Sequence, residues 1–169
     1  DALAQGQVLV QDNERKEGAV MIDFGGTSTK LSIFENNIMV ESMIFSFGSD
    51  ILTQDISKCL NVSLPEAERL KILYGDMALE RINQKETIEI NSKTEGRKTI
   101  KRLLLCQILE ARLKEIVNYI HKKCPVFTNK NYKLILAGGG SLLKGFKEYI
   151  EKDYRDNVRQ GLPEPIQGI

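Results

Sequence analysis

The stretch AVMIDFGGTSTKLSIF, residues 19–34, decides the fold of this chain. Its first six residues are apolar except for Asp23, which is typical of a buried strand. Two glycines then favour a turn, and the alternating residues 30–34 predict a returning strand. A further turn at residues 35–37 leads into a third strand over residues 38–45. The sequence therefore predicts three antiparallel strands joined in a meander.

Capping residues and apolar spacing predict the elements around this meander. Residues 12–18, a charged run ahead of the first strand, are predicted as a loop. Ser49 is placed to cap a helix, and a Ser63–Glu66 capping pattern begins a second one that ends at Gly75. The buried face predicted for the first helix consists of Leu52, Ile56, Cys59 and Leu60. The remaining elements are an edge strand over residues 87–90, a helix over 99–123, a strand over 132–137 and a helix over about 142–154.

The composition excludes several classes of protein. The chain has 169 residues, 41% of them hydrophobic, with 24 Lys and Arg against 23 Asp and Glu. These values fit one domain with a small insertion and exclude a charged, disordered tail. No apolar run approaches the roughly 18 to 20 residues of a membrane-spanning helix, and no secretion signal is seen. Three scattered cysteines favour reduced thiols. Because the chain starts at Asp1 and not at Met, we expect it to be a piece of a longer protein.

The charges are unevenly distributed along the chain. Residues 93–123 carry nine basic and three acidic side chains, while the rest of the chain is net negative. A local excess of positive charge can bind an acidic partner, although solvated helix faces are often rich in lysine as well. The pattern thus indicates either a docking surface for acidic groups or an ordinary solvated face.

The turn at residues 25–28 has the chemistry of a phosphate site. Glycines let the backbone approach phosphate oxygens, and the hydroxyls of Thr27 and Ser28 add hydrogen-bond donors. Asp23, at the end of the preceding strand, can hold Mg²⁺ through water or orient an attacking water. The alternative is an ordinary hairpin turn in which Asp23 is merely a cap.

A second glycine turn, Gly138-Gly139-Gly140-Ser141, joins a predicted strand to a helix. Backbone without side chains at the carboxyl end of a strand lets a flat group such as adenine lie against it. A tight connection is the alternative. Between the two turns, Glu68 and Lys71 are three residues apart, so they share a helix face and can contact one ligand or form a surface ion pair.

The order of these motifs resembles the second half of the actin/Hsp70/hexokinase ATPase superfamily. The resemblance implies an α/β, actin-like ATPase (ribonuclease H-like) domain, in which helices flank a mixed sheet and a small α+β insertion is present. It also implies ATP and Mg²⁺ as cofactors, with Asp23 handling Mg²⁺ or water. The resemblance implies that the phosphates are contacted by Gly25, Gly26, Thr27 and Ser28. It implies that the ribose is contacted by Glu68 and Lys71, and the adenine by Gly138, Gly139, Gly140 and Ser141.

Within this superfamily the chain resembles the FtsA family of bacterial cell-division proteins. The segments that carry the resemblance are FGSDILTQDI at residues 47–56, AERLKILYG at 67–75, EARLKEI at 110–116 and VRQGLP at 158–163. The resemblance implies a subdomain IIA over residues 1–47 and 108–169, and an inserted subdomain IIB over residues 48–107.

The family resemblance also implies partners. Members of the family polymerise like actin and, with other divisome proteins, tether FtsZ filaments to the cytoplasmic face of the membrane at the division septum. They attach through a C-terminal helix that is expected to lie outside this chain, and no nucleic acid is expected to bind. They hold the C-terminal peptide of FtsZ on IIB and the neighbouring helix, which overlaps the basic stretch. The cations predicted to bind this peptide are Arg97, Lys98, Lys101, Arg102 and Arg112.

Two positions depart from the family pattern, which is D-I-G-G-G-T-T-D in most relatives. Thr27 replaces the third glycine and adds a side chain near the phosphates, and Lys30 replaces the final aspartate and reverses its charge. Hydrolysis is therefore expected to be weak or absent, and none is expected from this chain alone because it has no second D-x-G turn. Two further interpretations stay open: half of a small-molecule (sugar or acid) kinase with Asp23 as general base, and a non-catalytic nucleotide-binding adaptor like an actin-like pilus-assembly protein.

Overall fold

The computed structural model describes residues 9–153 and 157–161. The helices in these ranges are α1 (Asp12–Glu17), α2 (Asp50–Leu60), α3 (Leu64–Tyr74), α4 (Arg102–Lys123) and α5 (Phe146–Asp153). The strands are β1 (Ala19–Phe24), β2 (Thr29–Glu35), β3 (Ile38–Phe45), β4 (Thr87–Ser92), β5 (Gly96–Lys101), β6 (Lys133–Ala137) and β7 (Val158–Gln160). Short 3₁₀ turns cover Leu79–Arg81, Pro125–Thr128 and Gly139–Leu142. Among the described helices, none combines the length and the apolarity that crossing a membrane requires.

The main sheet confirms the predicted meander and extends it. Its strand order in the described residues is β3-β2-β1-β6-β7; the first three strands are antiparallel, and β6 and β7 run parallel to β1. The register places Asp23 of β1 opposite Lys30 of β2 and opposite Ala137 of β6. Because β1 and β6 are parallel neighbours, the two glycine turns leave the sheet at the same edge.

The main hydrophobic core lies between one face of this sheet and helices α2, α3 and α4. Buried residues of β1, β2, β4, β6 and all helices from α2 to α5 belong to one apolar cluster. The opposite face of the sheet carries a smaller cluster of Val10, Ala19, Met21, Phe34 and Ile135. The boundary between IIA and IIB stays a prediction, and one continuous core runs across it.

The first correction concerns residues 96–101, which form a strand. The helix predicted to begin at residue 99 begins at Arg102, because Thr99 and Ile100 pair with β4 in a two-stranded hairpin. Their β-branched side chains favour a strand, and Ile100 packs against the core. The insertion therefore contains a hairpin of its own, of which the sequence predicted one strand.

The second correction concerns the charged run at residues 12–18, most of which is helix α1. The Glu14 carboxylate accepts a hydrogen bond from the Gln11 backbone N–H (2.9 Å) and so caps the helix. Glu14 is buried and forms a two-point ion pair with Arg159 of β7, with N–O distances of 2.6 and 2.5 Å. Since the pair joins residues 145 positions apart, the local sequence does not reveal it.

Two smaller differences affect helices α2 and α5. Cys59 is exposed and does not belong to the buried face of α2, whereas Leu52, Ile56 and Leu60 are buried as predicted. Helix α5 begins at Phe146, four residues later than predicted, because the 3₁₀ turn at Gly139–Leu142 occupies the preceding stretch.

Candidate functional site

The loop after β1 has backbone amides that the protein itself does not use. The Gly25 N–H closes the loop by donating to the Ser28 carbonyl (3.0 Å). Within the described part of the chain, the N–H groups of Gly26, Thr27 and Ser28 donate to no protein acceptor. Successive free amides in a tight loop are a donor set for anions such as phosphate.

Helix α2 fixes this loop through its backbone. The N–H of Ser49 donates to the Gly25 carbonyl (2.8 Å) and that of Asp50 to the Gly26 carbonyl (2.9 Å). Ser49 is the N-cap residue, as predicted, but its side chain forms no capping bond. Gly48 allows this close approach, since a Cβ there would lie 2.3 Å from the Gly26 carbonyl oxygen. The carbonyls of the loop are therefore bound to α2, and its amides are left free.

The second glycine turn packs directly on the end of β1. Gly138 has a φ of +81°, and a Cβ there would lie 2.5 Å from Asp23 Oδ1. A Cβ on Gly140 would lie 2.5 Å from the Phe24 ring. Gly139, by contrast, has no atom within 4 Å of its Cβ position. Two of the three glycines thus permit packing, and Gly139 leaves open space.

Ser141 is bonded within the turn, and its predicted place beside the adenine stays a prediction. Its buried hydroxyl donates to the Gly138 carbonyl (2.7 Å) and accepts from the Gln160 side chain (2.5 Å). The serine therefore fixes the turn to β7. Sequence reasoning missed Gln160, because the contact joins two elements that are distant along the chain.

Glu68 and Lys71 of α3 are joined by Thr53 of α2. Lys71 Nζ lies 2.8 Å from Glu68 Oε2 and donates to Thr53 Oγ1 at 2.8 Å; the Thr53 hydroxyl donates to Glu68 Oε2 at 2.5 Å. Lys71 is buried, whereas the Glu68 side chain is 44% exposed. Burial raises the pKa of Glu68, but hydrogen bonds from Lys71 and Thr53 lower it by more, so this pKa lies below its ordinary value. Glu68 is thus more exposed to a ligand than Lys71.

These features surround one cavity of about 520 Å³, called here the glycine-turn cleft. The predicted site residues that line it are Gly26, Glu68, Lys71, Gly139 and Gly140. Ile72 and Leu142 add apolar surface and are mostly exposed, and Lys144 adds a cation. Apolar walls with a few fixed polar groups are typical of a small-molecule site.

The described residues offer Asp23 as one carboxylate for a magnesium ion at this edge of the sheet. Asp23 is mostly buried, and Lys30 is its direct partner across the hairpin. In the described ranges, no group of three or more His, Cys, Asp or Glu side chains could hold a metal. Mg²⁺ that accompanies a nucleotide is held by one or two carboxylates together with phosphate oxygens and water. Asp23 supplies one such carboxylate, and its predicted role in holding Mg²⁺ through water stays a prediction.

The predicted peptide-binding cations on the hairpin β4–β5 lie at the surface. Arg97 lies 3.8 Å from Glu89, and Lys98 lies 2.7 Å from Glu95. Lys101 is exposed at the end of β5. These three cations lie on one short hairpin, where carboxylates of the same hairpin partly neutralise Arg97 and Lys98.

Arg102, at the start of α4, is largely buried. It donates to the Tyr74 carbonyl (2.9 Å) and to Glu86 (3.0 Å), and it lies 3.6 Å from the buried carboxylate of Asp76. Its side chain is 16% exposed. Its charge is therefore neutralised inside the protein, at the junction between α3 and α4.

Arg112, further along α4, lies in a groove instead. Two adjoining cavities of about 530 and 380 Å³ are both lined by Arg112 and Glu115, and together they form what is called here the α4 groove. An aromatic cluster of Phe45, Phe47 and Tyr119, with ring centroids 5.4 to 5.9 Å apart, lines one end.

Arg112 is paired at the surface of this groove. Its guanidinium bonds to Asp55 of α2 and, at 2.7 Å, to Glu115. The hydrogen bond to Asp55 raises the pKa of Arg112. The side chain remains 32% exposed. The basic stretch of the sequence therefore does not form one continuous patch in the described residues.

The fold and the cleft define the class of protein: the described chain has the fold of the actin-like ATPases. MreB5 of Spiroplasma citri, solved bound to ADP, matches with a TM-score of 0.72 and 17% identity over 94% of this chain and 53% of that one. A chain of the PilM–PilN type IV pilus biogenesis complex matches with a TM-score of 0.65 and 16% identity over 93% of this chain and 38% of that one. MamK, solved as a double helical filament, matches with a TM-score of 0.62 and 13% identity over 88% of this chain and 50% of that one.

Sequence comparison defines the family. The family model of cell division protein FtsA matches residues 20–169. Cell division protein FtsA of Neisseria meningitidis is 29% identical over 99% of this chain and 42% of that protein. The Bacillus subtilis protein is 28% identical over 97% of this chain and 38% of that protein. The chain therefore belongs to the FtsA family, and it spans less than half of the length of these relatives.

Proposed function

We propose that this chain is the nucleotide-binding half of an actin-like cell-division protein. The observation that carries the proposal is the glycine-turn cleft, around which free backbone amides, the Glu68–Thr53–Lys71 trio and the open side of Gly139 lie. A cavity of about 520 Å³ is within the usual range for small-molecule sites. Membership of the FtsA family and the ADP-bound fold neighbour support a nucleotide as the ligand.

In this proposal each part of the cleft contacts one part of ATP or ADP. The amides of Gly26, Thr27 and Ser28 donate to phosphate oxygens, and Gly25 shapes the loop. Glu68 accepts hydrogen bonds from the ribose hydroxyls, and Lys71 and Thr53 hold its carboxylate in place. The turn at residues 138–140 provides the surface for the base.

Hydrolysis, if the intact protein performs it, needs a second phosphate loop from the opposite half. The sequence has one D-x-G turn, and it ends at Gly25. Asp23 is the residue placed to orient the attacking water once both halves enclose the phosphates. The 169-residue chain alone is expected to show no ATP turnover above a buffer control, and measurable turnover by a purified sample would contradict this assignment.

Binding of fluorescent ADP to the intact protein tests the cleft. Glu68→Gln is expected to raise the Kd about tenfold, because a hydrogen bond to a charged group is weakened. Glu80→Gln is the matched control, since Glu80 is exposed and lies outside the cleft lining. Equal Kd values for the two variants would exclude Glu68 from the site, and absence of binding by the unmodified protein would refute the nucleotide proposal.

We further propose that the α4 groove binds the acidic C-terminal peptide of FtsZ. The groove offers aromatic surface for apolar side chains and Arg112 for a carboxylate, and Lys101 lies on the neighbouring hairpin. Family membership and the filament-forming neighbour support the larger role. In that role the intact protein self-associates and, with other divisome proteins, tethers FtsZ filaments to the cytoplasmic face of the membrane at the septum.

Peptide binding measured at low and high salt tests the groove. The double variant Arg112→Glu with Lys101→Glu is expected to weaken binding of an FtsZ tail peptide and to flatten its salt dependence. A control variant, Lys16→Glu, reverses a charge on α1, outside the groove lining. Unchanged affinity and salt slope in the double variant would reject this surface.

A further inference from the structure

Asp76 is a buried carboxylate that contacts both the wall of the glycine-turn cleft and the start of α4. It follows the end of α3, and its side chain is 3% exposed. Its Oδ1 accepts a hydrogen bond from the Ala78 N–H (3.0 Å). Its Oδ2 lies 3.2 Å from the ammonium of Lys144 and 3.6 Å from the guanidinium of Arg102. Because a buried carboxylate is costly without a cation, Asp76 depends on these two side chains.

Lys144 is the cation through which the cleft reaches this carboxylate. It lines the cleft, and its side chain is mostly exposed. The other cation of the described lining, Lys71, is buried and bonded to Glu68 and Thr53. An ammonium has three rotatable donors on a flexible stem, and a nucleotide offers phosphate oxygens and ring nitrogens as acceptors. Lys144 is therefore the lining cation that can turn from its internal partner to a bound nucleotide.

Arg102 has a choice between two carboxylates. Its guanidinium donates to Glu86 at 3.0 and 3.2 Å, which is closer than its 3.6 Å approach to Asp76. Glu86 directly precedes β4, and its carbonyl accepts a hydrogen bond from the Arg102 N–H (3.0 Å), so the pair closes the base of the hairpin β4–β5. The Glu86 side chain is 38% exposed. Water can therefore solvate Glu86 when the arginine leaves it, whereas Asp76 has no such replacement.

We infer that a nucleotide in the cleft shifts these ion pairs by one place. Lys144 leaves Asp76 for an acceptor atom of the nucleotide. Arg102 then compensates Asp76 in its place, and Glu86 is released to solvent. This inference rests on the proposed nucleotide site and adds regulation to it. An occupied cleft loosens the base of the hairpin β4–β5, which carries three of the cations predicted to bind the partner peptide.

The test is amide hydrogen exchange of residues 87–101 in the intact protein, with and without saturating ADP. In the unmodified protein the hairpin is expected to exchange about two- to fivefold faster with ADP, since one partly exposed ion pair is lost. Lys144→Met is expected to bind ADP about tenfold more weakly, because one charge-assisted hydrogen bond is removed. Adenosine in place of ADP identifies the acceptor: faster exchange with ADP alone assigns the phosphates, and faster exchange with both assigns the base.

Three exposed positions provide the variants for this test. Lys144→Met and Glu86→Gln each break the chain of ion pairs, so their hairpins are expected to exchange faster already without ADP and to respond no further to it. Lys152→Met removes an exposed lysine outside the described cleft lining and is expected to respond like the unmodified protein.

The outcomes separate this inference from the proposed function. Unchanged or slower hairpin exchange in the unmodified protein saturated with ADP overturns the inference alone. A full ADP response in saturated Lys144→Met or in Glu86→Gln also overturns it. No ADP binding by the unmodified protein overturns the nucleotide proposal and this inference together.

Discussion

The glycine-turn cleft and the α4 groove hold their cations in opposite ways. In the cleft, Lys71 is buried and bonds to Glu68 and to the hydroxyl of Thr53, and the loop beside it is fixed by backbone hydrogen bonds. In the groove, Arg112 is partly exposed, and of its two partners Glu115 lies at the surface while Asp55 is mostly buried. The cleft is therefore organised before a ligand arrives. In the groove, by contrast, Arg112 can exchange a carboxylate of this chain for a carboxylate of a bound partner.

This difference predicts which substitutions couple to folding. Changes in the cleft alter packing and buried hydrogen bonds, so they affect stability and ligand binding together. Changes in the groove remove surface ion pairs, which contribute little to stability and respond to salt. The predictions below separate the two regions, in order of decreasing effect.

The largest effect is expected from a side chain at Gly138. In Gly138→Val the Cβ would lie within 2.5 Å of Asp23 Oδ1, at a φ of +81°. Overpacking and backbone strain together are expected to lower the free energy of unfolding by about 3 kcal/mol or more and to abolish ADP binding. Denaturant unfolding and fluorescent ADP binding measure both.

The adjacent glycine provides the control. Gly139→Ala adds a methyl group to open space, so its free energy of unfolding is expected to stay within about 0.5 kcal/mol of the unmodified value. If Gly138→Val and Gly139→Ala have equal free energies of unfolding, the close packing of the turn on β1 does not stabilise the cleft.

The second effect separates two arginines of α4. Arg102→Met leaves the nearly inaccessible carboxylate of Asp76 with less compensation, and it is expected to cost about 3 kcal/mol of unfolding free energy. Arg112→Met is expected to cost about 1 kcal/mol or less, because its ion pairs are partly exposed. Urea unfolding measures the free energy of unfolding of both variants. Equal losses would show that the greater burial of Arg102 does not make it more important for stability than Arg112.

The smallest effect concerns pH. The folded pKa of Glu68 lies below its unfolded value of about 4.3, so the ionised carboxylate stabilises the protein above that pH. This contribution is lost as the pH falls through the folded pKa. Because the side chain is 44% exposed, the expected size is less than about 1 kcal/mol.

Thermal unfolding at about pH 6 and about pH 3 measures this contribution. Glu68→Gln is expected to lose slightly less stability between these two values than the unmodified protein. Glu80→Gln serves again as the exposed control. A larger acid sensitivity in Glu68→Gln would reverse the sign of the assigned contribution.

The two glycine turns were predictable from the sequence, and the family resemblance implied that they meet at one nucleotide. Apolar residues mark β1 and β6 as buried strands, and glycines follow both of them directly. Parallel strands that pair bring their carboxyl ends together, so Gly26 and Gly139 reach the same cleft. The turns themselves leave a clear signal in the local sequence, whereas the pairing of β1 with β6 does not.

The partners of charged side chains were not predictable in the same way. Arg102 and Arg112 lie in the same basic stretch, yet Asp76 and Glu86 surround the first and Asp55 binds the second. These partners are fixed by packing between helices, and counting charges along the chain does not identify them.

Other contributions to the site were missed for a related reason. Thr53 joins the trio from α2, and Gln160 reaches Ser141 from β7. Residues of this type are common on exposed surfaces, and tertiary contact alone gives them a role here. The helix α1 has a local Gln11–Glu14 cap, but its ion pair to Arg159 depends on the folded sheet and could not be predicted.

The structure of the intact protein crystallised with saturating ADP tests the nucleotide site most directly. We predict phosphate oxygens within hydrogen-bond distance of the amides of Gly26, Thr27 and Ser28. The ribose is expected against Glu68, and the base beside Gly139. ADP bound elsewhere on this chain, with the glycine-turn cleft empty, would contradict the proposed site.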